Sequence, residues 1–283
     1  MILVVGGTGH LGRRVVPALL AEGHQVRVMA KAAGSALDLA ELGAELFPGD
    51  IRDRERVFAA FEGVTVCVSA AQGLVGAENP TPAAVDRDGN RNVTDAAATS
   101  GAAVVLLSAV DASPDHPLEL QRMKWAAEEY LRASGVPWTI IRGTVFAETW
   151  GDILRASANS RGRVQVFGRG ENPTNFVRVD DVAAAVVRAV TDPSLRGHTI
   201  EVGGPQDLTF NDFARGLTGH EPRHVPRIAL RVMGAVAGPV KPQLARLARA
   251  ALHMDTADMT FDTRPGLTAY PWLTSRPVAA APP

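Results

Sequence analysis

Three glycines near the start of the chain have the spacing of a phosphate-binding turn. Gly6, Gly9 and Gly12 form a G-x-x-G-x-x-G pattern between an apolar strand-like run and a helix-like run. Glycine at these places permits a tight turn, close approach of the backbone to a pyrophosphate and close helix–sheet packing. Backbone N–H groups at the start of the helix would then face the phosphates. The sequence therefore predicts a dinucleotide-binding turn, with an ordinary strand-to-helix turn as the alternative.

The end of the second predicted strand distinguishes between the two nicotinamide cofactors. An NAD enzyme usually places an acidic residue there, about 20 residues after the glycines, to bind the ribose hydroxyls. This chain has Ala30 and Lys31 instead, and Arg13 follows the glycine turn. A cation without a carboxylate suits the 2′-phosphate of NADP(H), so we predict NADP(H) as the cofactor. A solvated surface lysine is the alternative interpretation of Lys31.

Asp50, at the end of the third predicted strand, has two interpretations. Its carboxylate could accept a hydrogen bond from the adenine amino group of the cofactor. It could equally cap the start of the helix that follows, because aspartate is a common helix N-cap residue.

Strand-length apolar runs alternate with helix-length segments in the first half of the chain, which indicates βαβ units and a parallel sheet. We predict an α/β fold: a Rossmann-type doubly wound parallel sheet with a small C-terminal substrate lobe. The predicted core comprises residues 1–145, with 175–203 returning to it. Residues 146–174 and 204–283 would form the substrate and lid lobe. One long α-helix is expected over residues 84–100.

Five stretches of the sequence carry a family resemblance: VGGTGHLG (5–12), VRVMAK (26–31), GDIRD (49–53), NVTDAA (92–97) and NFVRVDDVA (175–183). Because of these stretches, the chain resembles the atypical short-chain dehydrogenase/reductase proteins of the NmrA-like NAD(P)-binding group. The resemblance extends from residue 1 to about residue 215. The resemblance implies a Rossmann core and a C-terminal lobe that closes over the nicotinamide. It also implies cofactor contacts from nine residues: Thr8, Gly9, His10, Leu11, Lys31, Asp50, Ile51, Ser69 and Ala70.

The catalytic pattern of that family is only partly kept. Short-chain reductases usually carry Tyr-x-x-x-Lys, in which the tyrosine protonates the carbonyl and the lysine holds the ribose. Here the lysine is Lys124, and Leu120 stands in place of the tyrosine. The family's asparagine position falls near Asp88, and its serine position at Ser108 or Val110. A compact ammonium suits ribose hydroxyls, so we predict that Lys124 binds the cofactor and serves catalysis, with a surface lysine as the alternative.

Because Leu120 cannot move a proton, a reductase would need another donor. Histidine has the most suitable intrinsic pKa, ~6.5, so we predict His116 and Ser108 as catalytic beside Lys124. The leading hypothesis is an NADPH-dependent reductase of a carbonyl on an aromatic or polyketide-type substrate, whose own hydroxyl could aid protonation. The alternative is a non-catalytic NADP(H)-sensing regulator of NmrA type, and an isomerase or epimerase is less favoured. Two further candidate donors follow the fifth predicted strand: Asp111 and Ser113.

Polar and aromatic residues after the sixth predicted strand could line a substrate pocket, with packing inside the lobe as the alternative. These residues are Thr144, Phe146, Trp150 and Phe176. Residues 227–253 form a basic amphipathic stretch that suits a lid or a dimer helix. A role at a membrane surface is less favoured for this stretch, because it lacks bulky aromatic anchors.

Composition narrows the possible partners. The net charge is -1 and the pI is about 6.7, so no nucleic-acid or membrane partner is expected. A single cysteine, Cys67, cannot form an internal disulfide, which favours a cytoplasmic location. No cysteine or histidine cluster suggests a metal. We expect a small-molecule substrate and a monomer or homodimer.

Overall fold

The computed structural model describes residues 1–31, 33–74, 80–237 and 241–278 of the chain. The chain divides into two compact units. The first unit consists of Met1–Gly143 and Val179–Glu201. The second unit consists of Thr144–Arg178 and Val202–Pro283.

Strands and helices alternate through most of the described residues. The strands are β1 (Ile2–Val5), β2 (Val26–Ala30), β3 (Glu45–Pro48), β4 (Val66–Ser69), β5 (Ala103–Ala109), β6 (Trp138–Gly143), β7 (Val145–Phe146), β8 (Gln165–Phe167), β9 (Thr174–Val177), β10 (Thr199–Val202), β11 (Asp207–Leu208) and β12 (Arg223–Val225). The helices are α1 (Gly12–Ala21), α2 (Leu37–Glu41), α3 (Arg54–Ala60), α4 (Asn90–Ser100), α5 (Glu119–Ala133), α6 (Ala147–Ala156), α7 (Val179–Thr191), α8 (Phe210–Thr218), α9 (Arg227–Val236), α10 (Pro242–Met254) and α11 (Arg264–Ala269).

Seven strands form the central sheet, in the order β10-β6-β5-β4-β1-β2-β3. All the pairings from β3 across to β6 are parallel. The predicted Rossmann-type α/β fold is confirmed. The chain winds in opposite directions from the boundary between β1 and β4, and ligands of such sheets bind at this switch point, beyond the carboxyl ends of the strands. The glycine turn that follows β1 lies at this switch point.

Side chains alternate between the two faces of the sheet. On one face, Leu3, Cys67, Val104 and Leu106 pack into a single apolar cluster with residues of α3, α4 and α5. The alternate residue Val4 is fully buried as well, and α1 and α7 pack together and contact the strands. Ser69 and Ser108 continue the first face at the carboxyl ends of β4 and β5, so both serines point towards the layer of α4 and α5.

The predicted helix over residues 84–100 differs from the structure in its first half. Ala83–Gly89 is π-helical, and α4 begins only at Asn90. π-Helical turns often mark functional sites. The wider turn changes which side chains face the sheet, and Asp86 is fully buried in it.

The second unit contains two small sheets, with the strand orders β11-β9-β7 and β12-β8. Its core is aromatic and includes Trp150, Phe176, Phe210 and Phe213. The prediction that the core resumes at residue 175 is wrong by four residues, because β9 pairs with β7 and β11 instead of the central sheet. The return begins at α7. Within the described ranges, no helix has the length and hydropathy to span a bilayer.

Candidate functional site

The glycine turn after β1 is sterically constrained at two of its three glycines. Gly6 has a φ of +86°, and a Cβ there would lie 2.8 Å from the carbonyl carbon of Ala70, at the end of β4. A Cβ on Gly12 would lie 2.3 Å from the Cα of Gly7. Gly9 differs, because among the described residues its Cβ would meet only the Gly6 carbonyl oxygen, at 3.5 Å. The packing of the protein itself therefore does not require glycine at position 9.

The start of α1 fits an anionic ligand. The cap residue is Leu11, and among the described residues no side chain caps the helix and no acid lies in its first turn. Uncapped N–H groups and the positive end of the helix dipole favour a phosphate. Thr8 and His10 lie in the same turn, where Arg13 donates a hydrogen bond to the carbonyl of Thr8 at 3.2 Å. These features, with the open space at Gly9, fit the pyrophosphate of a dinucleotide.

Gly9→Ala separates a ligand requirement from a folding requirement. We expect this variant to keep its free energy of unfolding within about 0.5 kcal/mol of the wild type. Its dissociation constant for NADPH should rise at least about tenfold, because the new methyl group occupies the space that the pyrophosphate needs. Calorimetry and urea unfolding measure the two quantities. Gly12→Ala is the contrasting variant, and should lose about 1–3 kcal/mol of stability by overpacking. Unchanged NADPH binding by Gly9→Ala would contradict the assignment.

A charged cluster lies at the ends of β2 and β3. The Lys31 ammonium is 3.4 Å from the Asp50 carboxylate, and Asp50 also accepts hydrogen bonds from the backbone and guanidinium of Arg52. Partial burial alone would raise the pKa of Asp50, but the bonds from Arg52 and the charge of Lys31 outweigh it and hold the pKa at about 2. The N-cap of α3 is Asp53, which accepts from Arg56 N–H at 3.1 Å. The alternative of Asp50 as a helix cap is therefore wrong.

Three of the residues expected near the cofactor have their side chains turned into the protein. Ile51 is 4% exposed and belongs to the apolar core. The hydroxyl of Ser69 donates to the Asn90 side chain at 2.6 Å, and Leu11 is buried. Any contact from Ser69 to a cofactor must therefore come from its backbone. Ala70 donates its N–H to Val5 at 2.9 Å and so holds the end of β4 beside the glycine turn.

Lys124 is not a surface residue. It lies on α5 with only 8% of its surface exposed, and its ammonium is 3.1 Å from a carboxylate oxygen of Asp86. The same ammonium donates to the Leu107 carbonyl of β5 at 3.2 Å. The second oxygen of Asp86 accepts from Gly73 N–H at 2.8 Å. Burial raises the pKa of Asp86, and the adjacent charge of Lys124 opposes that rise.

Two polar groups near this ion pair lack hydrogen-bond partners among the described residues. The Ser108 hydroxyl and the Gln121 side-chain oxygen are both buried and unpaired. Gln121 precedes Lys124 by one helical turn, and its side-chain nitrogen is 3.5 Å from the Val110 carbonyl at the end of β5. Buried unpaired polar atoms are rare, and a ligand or an ordered water can satisfy them. Ser108 and Gln121 therefore offer hydrogen bonds to a ligand beside Lys124.

His116 has a local structural role at the start of α5. Its ring Nδ1 accepts the backbone N–H of Leu118 at 3.0 Å, and its carbonyl accepts from Arg122 at 2.6 Å. Leu120 lies in the first turn of α5, four residues before Lys124, so the two side chains share one helix face. Asp111 has a φ of 64° in the preceding loop, a conformation that is uncommon outside glycine.

The four residues predicted to line a substrate pocket lie in the second unit. Phe176 is wholly buried and its ring stacks 4.6 Å from that of Phe213, so its assignment as a pocket residue is wrong. The hydroxyl of Thr144 is 2.9 Å from the Asn175 side-chain oxygen. Phe146 is half-buried in β7. Trp150 is a core residue, only 9% exposed, and its ring packs edge-on against that of Phe210 with centroids 5.3 Å apart.

Two buried polar residues of the site were missed in the sequence. Asp86 lies beside Lys124, whereas Asp88, near which the family's asparagine position was expected, pairs with Arg87 on the surface. Asn90 links Ser69 to the π-helical turn by donating to the Asp86 carbonyl at 2.7 Å. A signal was present, because residues 86, 90 and 94 are polar at intervals of four along the apolar face of the helix.

Comparison with known proteins decides the family. The sequence profile of the NAD(P)H-binding family matches residues 6–193. The chain belongs to the NAD(P)H-binding family. This NAD(P)H-binding protein is similar to the NAD(P)H azoreductase of Xenophilus azovorans, at 29% identity over 231 residues, or 81% of this chain and 77% of that protein.

Two further comparisons agree with this membership. The NAD(P)H-binding protein is 30% identical over 216 residues to the (4-alkanoyl-5-oxo-2,5-dihydrofuran-3-yl)methyl phosphate reductase of Streptomyces griseus, which covers 75% of this chain and 71% of the relative. The Citrobacter triphenylmethane reductase, solved with NADP(H), has the same fold, with a TM-score of 0.77 at 22% identity over 98% of this chain and 96% of that one. The resemblance to atypical short-chain reductases of the NmrA-like type is confirmed.

Proposed function

We propose that this protein is an NADPH-dependent reductase of a carbonyl group in a flat conjugated molecule, in which Lys124 stands at the reacting centre. The observation that carries the proposal is the buried Lys124–Asp86 ion pair at the carboxyl end of β5, on the sheet edge where ligands of this fold bind. Keeping an ion pair buried is costly. A lysine that binds no ligand could lie on the protein surface and avoid this cost.

The chain's own residues provide separate places for the parts of the cofactor. The glycine turn and the N-terminus of α1 would bind the pyrophosphate. Lys31 would bind the 2′-phosphate and give up its contact with Asp50. When bound, the nicotinamide supplies a hydride. Lys124 has three N–H donors. With Asp86 and the Leu107 carbonyl occupying two of them, the third is available for the ribose.

Proton supply is the step that Leu120 cannot perform. Ser108 is the better placed of the two predicted groups, because its buried hydroxyl has no hydrogen-bond partner in the part of the chain that the structure describes, and it lies on the sheet face that α5 covers. We propose that Ser108 hydrogen-bonds the substrate oxygen while the Lys124 ammonium stabilises the negative charge that develops there. A phenol beside the carbonyl would deliver the proton itself. His116 remains a weaker candidate, because one ring nitrogen is already bonded to Leu118 N–H.

Lys31→Glu is expected to abolish the preference for NADPH over NADH. The dissociation constant for NADPH should rise at least about tenfold, because a charge-assisted bond to the 2′-phosphate is lost and a repulsive carboxylate replaces it. Binding of NADH should change by less than about threefold. Titration of both cofactors by calorimetry measures this. Arg188→Glu, an equal charge reversal at an exposed position of α7 in the same unit, is the matched control. If Lys31→Glu loses affinity for NADPH and NADH by the same factor, Lys31 has no role in selecting the 2′-phosphate.

The substrate class is tested by following NADPH oxidation with quinones, aromatic ketones with an adjacent phenol, and azo dyes. The azo and unsaturated lactone substrates named for the two relatives are flat and conjugated, which supports this panel. Turnover with a quinone or ketone is the expected result. The absence of tyrosine at position 120 favours a second candidate, a regulatory protein that senses NADP(H). Tight cofactor binding without turnover of any compound, and with different affinities for NADP+ and NADPH, would favour the sensor instead.

A further inference from the structure

Helix α9 exposes an apolar face where a surface helix normally carries polar residues. Ile228, Val232 and Val236 are 72%, 55% and 69% exposed. They are four residues apart, so they form one stripe along the helix, which we call the α9 stripe. The opposite face packs on α10, where Arg249 donates to the Gly234 carbonyl at 2.6 Å. The packing of α9 on α10 therefore fixes the stripe on the outward face of a regular helix.

The sequence segment that carries the α9 stripe has charged residues of one sign. Residues 222–254 contain no aspartate or glutamate, although the whole chain has 30 acidic and 29 basic residues. Arg231 and Lys241 are exposed, whereas Arg227 is neutralised by Asp255 at 2.5 Å. The six basic residues of the segment are Arg223, Arg227, Arg231, Lys241, Arg246 and Arg249.

This charge distinguishes between the classes of partner that could cover the stripe. A second copy related by a twofold axis would place one α9 stripe on the other and Arg231 against its own copy, which like charges oppose. A nucleic acid would pair its phosphates with the cations but leave the three aliphatic side chains of the stripe uncovered, and residues 226–254 contain no Phe, Trp or Tyr on which bases could stack. A lipid surface needs only aliphatic side chains for the acyl boundary and flexible cations for the headgroups.

We propose that α9 docks this protein on an anionic lipid bilayer. The α9 stripe would enter the acyl boundary, and Arg231 and Lys241 would reach the headgroup phosphates. The net charge and the lack of aromatic anchors disfavoured a membrane partner. The net charge of the chain, however, averages out a cationic segment, and the exposed side chains of α9 offer aliphatic anchors in place of aromatic ones. The contact is peripheral, and it would bring the reductase to substrates dissolved in the bilayer.

Flotation of the full chain with unilamellar vesicles tests the proposal. We expect binding to vesicles of phosphatidylcholine and phosphatidylglycerol in which about one lipid in three is anionic. Little binding is expected to vesicles of phosphatidylcholine alone. The triple variant I228S/V232S/V236S should weaken partition at least about tenfold by removing the apolar insertion. The variant R231E/K241E should weaken it by a similar factor, and high salt should weaken wild-type binding.

Controls keep the result interpretable. Leu37→Ser/Leu42→Ser removes two equally exposed apolar residues in the first unit and should leave vesicle binding unchanged. NADPH affinity, measured on every variant, reports folding and does not depend on the α9 stripe. Equal binding to charged and neutral vesicles, or none to either, would overturn the proposal. A dimer in sedimentation that the triple variant converts to a monomer would also overturn it, because the stripe would then be a self-interface.

Discussion

Replacing Lys124 by methionine is expected to lower the rate of NADPH-dependent reduction at least about 100-fold, within the range for loss of a group that stabilises charge developing in the transition state. Methionine has a similar length without charge, so the change removes the ammonium and keeps most of the packing. The Michaelis constant for the substrate should change less than kcat, because the charge acts on the oxygen that becomes negative during the reaction. Steady-state kinetics with the best substrate of the panel measures both.

Two companion variants show whether charge alone is sufficient. Lys124→Arg keeps a positive charge but presents a planar fork, and we expect it to recover little of the lost rate. Arg188→Met removes an exposed cation from α7 and should leave kcat unchanged. A Lys124→Met enzyme with wild-type kcat would mean that the lysine does not reach the reacting centre.

The second large effect is on stability. Replacing Asp86 by alanine is expected to lower the free energy of unfolding by about 3–5 kcal/mol, because the variant leaves the Lys124 ammonium buried without its counter-charge. Gly73 N–H also loses its acceptor. Urea unfolding, with the slope compared between variants, measures the loss.

A double-mutant cycle isolates the ion pair from packing. The variant D86A/K124M carries no buried charge at this place, so it should be more stable than D86A alone, and the interaction between the two sites should not be additive. D86A/K124M should still show no wild-type turnover despite its regained stability, because it lacks the Lys124 ammonium. If the free energy of unfolding of D86A lies within about 0.5 kcal/mol of the wild-type value, the Lys124–Asp86 pair is not buried as described.

The parts of the site that depend on local chemistry could be predicted from the sequence. Gly6 and Gly12 stand where only a residue without a side chain fits, and a strand followed by such a turn has few alternatives. Lys31 could be placed because the length of the second strand fixes where it ends. Lys124 could be placed by its spacing to Leu120 within one regular helix. In each case the position follows from counting along a single element.

The parts that depend on long-range packing could not be predicted. The polar spacing of residues 86, 90 and 94 marks a buried polar face, but it does not show that Asp86 pairs with Lys124, which lies more than thirty positions further along the chain, nor that Ala83–Gly89 is π-helical. Phe176 was placed in a pocket because it follows the irregular region, yet the residues that bury it, Phe210 and Phe213, lie more than thirty positions away. β9 has the composition of a central strand, and only its pairing partners assign it to the second unit.

The central claim is that the glycine turn of the first unit binds NADP(H). Isothermal titration calorimetry of the purified chain with NADPH and with NADH tests this most directly. We predict saturable 1:1 binding of NADPH, at least about tenfold tighter than binding of NADH. A titration in which neither nucleotide releases or absorbs heat, confirmed by an unchanged melting temperature in the presence of each, would contradict the account.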